Sequence, residues 1–259
     1  MTAAALLAGL APWLFVLWLA QRLRAYCEQR QLPAREVLGV TTALGWCLVA
    51  CVAAGGGVVL NVGVSAALES VWAGVTAGSG GVALQALLEE TGKGVVLVGL
   101  LALGRLRTPV GGLLLGMAAG AGFAGLETFL SLQVIAAQTP EVHRWLSALA
   151  FRLLFGAVLH MAATAWLGWW LGLHLRGGAP LWRALGVGLG GGWALHAAWN
   201  LGVVAASGPG VGWLPILALI SLAASSVIVM LFGLRLGLRM ALATAPDPIA
   251  PRSRTSPPR

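Results

Sequence analysis

Apolar stretches long enough to cross a lipid bilayer recur along the chain, at roughly 3–20, 37–60, 81–103, 110–137, 145–175, 184–206 and 213–234. At ~1.5 Å per residue such stretches span ~30 Å of hydrocarbon. They lack the alternation of a barrel strand. Backbone amides in lipid must be satisfied within the segment, which leaves helices as the solution. Composition agrees, with 59% of the 259 residues hydrophobic and 9% charged, against about a quarter charged in a soluble domain. The expected fold is all-α: a polytopic transmembrane bundle of about seven spans.

Arginine placement sets an orientation. Alternate connections carry Arg22, Arg24, Arg30 and Arg35, then Arg105 and Arg107, then Arg176 and Arg183, then Arg235, Arg239, Arg252, Arg254 and Arg259. The opposite connections hold only Arg144. Basic residues accumulate on the cytoplasmic side, so the N-terminus is expected outside and the C-terminus inside. The +8 formal charge therefore reports topology and lipid contact, not nucleic acid. Residues 1–241 read as one transmembrane domain and 242–259 as a disordered, Pro- and Arg-rich cytoplasmic tail. The first span, followed by Gln21-Arg22-Leu23-Arg24, reads as retained and not as a cleaved signal. Residues 61–80, with Leu68, Val71, Trp72 and Val75 at helical spacing, fit an interfacial segment. Trp145, Trp182 and Trp213 at span ends fit an aromatic belt. Cys27 falls in a charged connection, and Cys47 and Cys51 read as apolar filler. His143 and His174 lie near the interfaces, where solvation is their expected fate.

A few residues do not belong in lipid: Glu89, Glu90 and Lys93 in the third span, Glu127 in the fourth, Arg152 and His160 in the fifth, and His196 with Asn200 in the sixth. A charge at the bilayer centre costs at least ~2.5 kcal/mol, so such groups are expected to be paired, buried between helices and functional. Four-residue ladders point them inward: Gly112, Gly116 and Gly120 leading to Glu127; Arg152, Gly156, His160, Thr164 and Gly168; Gly188, Gly192, His196 and Asn200. Residues four apart share a helix face, and small ones let neighbouring helices approach. Lys93, the only lysine, stands within reach of Glu89 at i,i+4 and of Glu90 at i,i+3.

These residues fall in four ordered motifs. Glu89-Glu90-Thr91-Gly92-Lys93 reads E-E-x-x-K, and Gly122 to Glu127 reads G-F-A-x-x-E. His160 opens H-x-x-x-T-x-x-x-G, and His196 opens H-A-x-W-N. The set, over about 80–205, resembles the PrsW family of intramembrane proteases, distant relatives of the CAAX-processing and bacteriocin-immunity membrane proteases. One departure is Thr128, where the family commonly has Asn after the glutamate. The resemblance implies a multi-pass protein of a bacterial plasma membrane. It also implies a membrane-protein or peptide substrate, such as a single-span anti-sigma factor.

For peptide hydrolysis, Glu89 or Glu90 would polarise a water, and Glu127 and His160 would orient it or shuttle its proton. His196 and Asn200 would donate to the oxyanion. Lys93, Arg152 and Thr164 would support them. Alternatively His160 and His196 with a glutamate would hold a divalent metal such as zinc. A proton-coupled transporter and a catalytically silent scaffold are the competing function classes.

Overall fold

The computed structural model describes residues 2–29, 78–102, 108–138, 141–207 and 212–243, a short helical piece at 63–71, and residues 45, 48–49, 53 and 74. The expected second span, with Cys47 and Cys51, lies largely outside the described residues, as do Trp72, Val75 and the tail beyond 243. Among the described residues there is no strand. Six long helices among the described residues form the bundle: α1 (Thr2–Gln29), α2 (Gly78–Ala102), α3 (Pro109–Gln138), α4 (Val142–Leu175), α5 (Leu181–Ala206) and α6 (Trp213–Ala243).

Four of them, α1, α3, α4 and α6, are long and apolar enough to cross a membrane. The other two carry most of the polar residues of the site. Three charges interrupt α2, while α5 holds Arg183, His196, Asn200 and six glycines. Local chemistry sets the ends. Thr108 Oγ1 accepts the Gly111 amide at 3.1 Å, and Pro109 starts α3 where no amide is needed. At the end of α4, Gly177 adopts φ +77° while its amide donates to His174 O and that of Gly178 donates to Leu173 O, both at 2.9 Å. This left-handed cap satisfies the last carbonyls and turns the chain into α5.

The most extensive packing joins α3 to α4. A Cβ on Gly112 would collide with the carbonyl of Gly168, one on Gly116 with Thr164, and one on Gly120 with His160. Each step of four along α3 is thus matched by four in reverse along α4, an antiparallel pair in backbone-to-backbone contact. Continuing the register brings Glu127 opposite Arg152. A second close approach, Gly9 against Gly125, seats α1 on α3. The first helix is therefore tied to the G-F-A-x-x-E segment.

α4 departs from regular geometry once, in a π turn at Arg152–Gly156, where the Ala157 amide reaches back to Arg152 O. In a regular helix Arg152 and His160 would stand ~80° apart in projection; absorbing one extra residue brings them within ~20°. The π turn therefore places Arg152 and His160 on one face.

Several expectations need correction. α1 continues past residue 20, so Arg22, Arg24 and Cys27 are helical and Cys27 is buried against the core instead of lying in a connection. Gly156 leaves its ladder, since nothing stands within 4 Å of a Cβ built there; the π turn rotates it away. Trp145 is buried among Ala5, Ala8 and Leu132 rather than serving in a belt. Trp182 and Trp213 are exposed.

Candidate active site

α2 brings three ionisable side chains inward from a single turn. Glu90 is 1% exposed, Lys93 5% and Glu89 8%. Lys93 Nζ donates to Glu90 Oε1 at 2.6 Å. The expected pairing of Lys93 with Glu89 does not form; Gln85, one turn earlier, donates to Glu89 Oε1 at 3.1 Å instead. From α5, His196 Nδ1 lies 2.8 Å from Glu90 Oε1. An ionised carboxylate only accepts, so His196 carries a proton on Nδ1, and in the neutral ring Nε2 keeps a lone pair. That lone pair faces Glu89 Oε2 at 3.6 Å, and Glu89 Oε2 is a buried oxygen with no hydrogen-bond partner.

From α4, His160 extends the same network. Lys93 Nζ lies 2.9 Å from His160 Nδ1. An ammonium only donates, so Nδ1 is the acceptor and Nε2–H donates to Glu127 Oε2 at 2.6 Å. Arg152 Nη1 reaches the other Glu127 oxygen at 3.2 Å. A continuous chain of contacts thus runs Arg152–Glu127–His160–Lys93–Glu90–His196–Glu89–Gln85. Its first two side chains are about a third exposed, at 29% and 33%, whereas the remainder through Glu89 is sealed. The chain of contacts is thus exposed toward both ends, at Arg152–Glu127 and at Gln85, and sealed between them.

Burial of this many charges is tolerable only because nearly every one is paired. The glycine ladder holds His160 in place: its carbonyl sits where a Cβ of Gly120 would be and also accepts the Thr164 hydroxyl at 2.9 Å. Thr164 therefore supports the backbone and does not reach into the cluster. Thr128 is buried. Asn200 is half-buried one turn beyond His196, and no hydrogen bond joins its side chain to the cluster among the described residues. His174 Nδ1 binds the Ala179 carbonyl and His143 is exposed beside Glu141; both lie outside the cluster.

Two contributors escaped the sequence reading. Phe123 lies beneath Lys93, with Nζ 4.0 Å from the ring centroid, and tilts against His160 at 5.1 Å. Gln85 fixes Glu89. Its signal was its place one turn before Glu89 on the same face, and that of Phe123 its fixed position in the second motif.

Glu89, His160 and His196 each offer a ligand atom within 4.8 Å of the others. The donor types suit a zinc-class ion, and the unpartnered Glu89 Oε2 beside His196 Nε2 supplies two of the three donors without rearrangement. Comparison with curated proteins and with solved structures gives no match. The family model for PrsW family intramembrane metalloproteases matches residues 33–232, beyond the 80–205 stretch that carries the motifs. With a match over most of its length, the chain belongs to the PrsW family of intramembrane metalloproteases.

Proposed function

We propose that the protein hydrolyses peptide bonds of membrane-protein substrates with a water activated by Glu89. The observation that carries this is the facing pair of acceptors, Glu89 Oε2 and His196 Nε2, buried at 3.6 Å in a chain of otherwise paired charges. A water against this pair gives its proton to Glu89 as its oxygen attacks the scissile carbonyl carbon. Glu89 then returns that proton to the leaving amine nitrogen as the C–N bond breaks. Glu90 holds Lys93 and His196 in register. Asn200, one turn beyond His196 on α5, is the donor for the developing oxyanion, and Arg152 holds Glu127 in place. Glu127 and His160 form the hydrogen-bonded link between Arg152 and the sealed interior. A metal ion supplying Lewis-acid activation of the same water would need His160 as a third ligand beside Glu89 and His196, and both His160 nitrogens already have partners in Lys93 and Glu127.

The substrate is a single-span membrane protein, such as an anti-sigma factor, in a bacterial plasma membrane, with the arginine-rich connections cytoplasmic. The test co-expresses such a substrate with wild type, Glu89→Gln, Glu127→Gln, His160→Ala and His196→Ala. We expect each variant to lose cleavage by at least ~100-fold, the scale of removing a positioned acid–base group. Wild-type cleavage by all four variants would refute the assignment. Chelator sensitivity of the purified enzyme separates metal-assisted from metal-free hydrolysis.

A further inference from the structure

We propose that Lys93 is the resident cation of the site and that its ammonium and a divalent metal ion are alternative occupants. The inference concerns the same Glu89–His160–His196 group as the proposed protease and rests on that reading of it. Metal coordination by the group needs a ring nitrogen lone pair from His160, and both of its nitrogens are already committed. Nε2 is joined to Glu127 Oε2 at 2.6 Å, and that carboxylate is pinned on its other oxygen by Arg152. Nδ1, 2.9 Å from Lys93 Nζ, accepts from the ammonium. Lys93 is itself held on three sides, by Glu90 Oε1 at 2.6 Å, by His160, and by the face of Phe123 at 4.0 Å. Its side chain is 3% exposed, which leaves no route for the ammonium to swing into water without dismantling the contact.

An ion that recruited all three ligands would have to take the Nδ1 lone pair from Lys93 and place two positive charges beside a third, in a sealed space where repulsion is weakly screened. Glu89 Oε2 and His196 Nε2 alone give two protein ligands, fewer than the three of a catalytic zinc site. Lys93 thus acts as a positioning residue: it fixes the His160 tautomer that donates to Glu127 and keeps His160 from metal. Removing the ammonium while keeping the length of the side chain frees the third ligand.

The experiment titrates the purified, detergent-solubilised full chain with Co²⁺ and Zn²⁺, without any substrate. Binding is followed by cobalt ligand-field absorption and by competition with a chromogenic chelator. Lys93→Met is expected to bind at least tenfold more tightly than wild type with a tetrahedral cobalt spectrum, and adding His196→Ala is expected to abolish the gain. Equal or weaker binding by a folded Lys93→Met protein overturns the proposal. A wild-type measurement stands independently should that variant fail to fold. Micromolar Zn²⁺ should shift the melting temperature of wild type no more than that of His196→Ala, and a His196-dependent rise overturns the proposal. Because no readout involves proteolysis, loss of the protease assignment would leave this result interpretable, and the reverse holds too.

Discussion

At the scale of single residues, the two adjacent glutamates have different jobs and should fail differently. Glu90 Oε1 receives both Lys93 and His196 in a sealed interior. Glu90→Gln leaves the ammonium without its counter-charge and should destabilise the fold by about 3–5 kcal/mol, the range for breaking a buried ion pair; thermal unfolding in detergent measures it. Glu89 has one oxygen without a partner. Glu89→Gln relieves an uncompensated carboxylate, so stability should hold or rise while cleavage is lost. Equal destabilisation by both substitutions would remove the distinction. The cluster's charged members were legible in the sequence because charge in lipid is expensive enough to demand a reason. Phe123 and Gln85 were not: phenylalanine is ordinary membrane filler and an amide carries no comparable penalty. The pairing of Lys93 was ambiguous for a simpler cause, since i,i+3 and i,i+4 partners are both within reach on a helix.

At the scale of elements, the α3–α4 contact makes matched predictions. Gly120→Ala drives a methyl into the His160 carbonyl and Gly116→Ala one into Thr164, whereas Gly156→Ala meets nothing within 4 Å. The first two should lower folded yield and cleavage severalfold and the third should leave both unchanged. The π turn offers a second contrast. Deleting Leu154, which is 64% exposed, lets Arg152–Gly156 relax to regular α-helix with Arg152 and His160 still on one face, so cleavage should persist. Deleting Ala165 rotates Gly168 by about 100° off the ladder and should abolish folding, as read by protease resistance of the membrane-embedded protein. Four-residue spacing announced the ladders on α3 and α5. It misplaced Gly156 because a π turn, like most helix insertions, leaves no mark in the residue pattern. α1 looked like a generic span, since the single close approach of Gly9 to Gly125 has no periodicity to reveal it.

For the whole molecule, fold class followed from solvent: apolar segments of this length in lipid have few options. Expected and described helices agree for six of the seven segments, with the remaining one largely outside the described residues. Their ends were poorly read, because α1 and α6 run on past the apolar stretch through Arg22, Arg24, Arg235 and Arg239, and hydrophobicity marks where lipid stops rather than where the helix does. Orientation remains a prediction of charge placement. Reporter fusions should place the C-terminus in the cytoplasm and the N-terminus outside, and the reverse result would invert the charge argument.

The glycine spine between α3 and α4 also bears on descent. Its steric demand is independent of the carboxylates it positions: with carbonyls lying where methyls would go at Gly112, Gly116, Gly120 and Gly168, drift at those places is closed whether or not the protein still hydrolyses anything. A lineage that abandoned its acids and imidazoles would keep the spine, and orphaned descendants, silent as enzymes, would be recognisable by their glycine spacing alone.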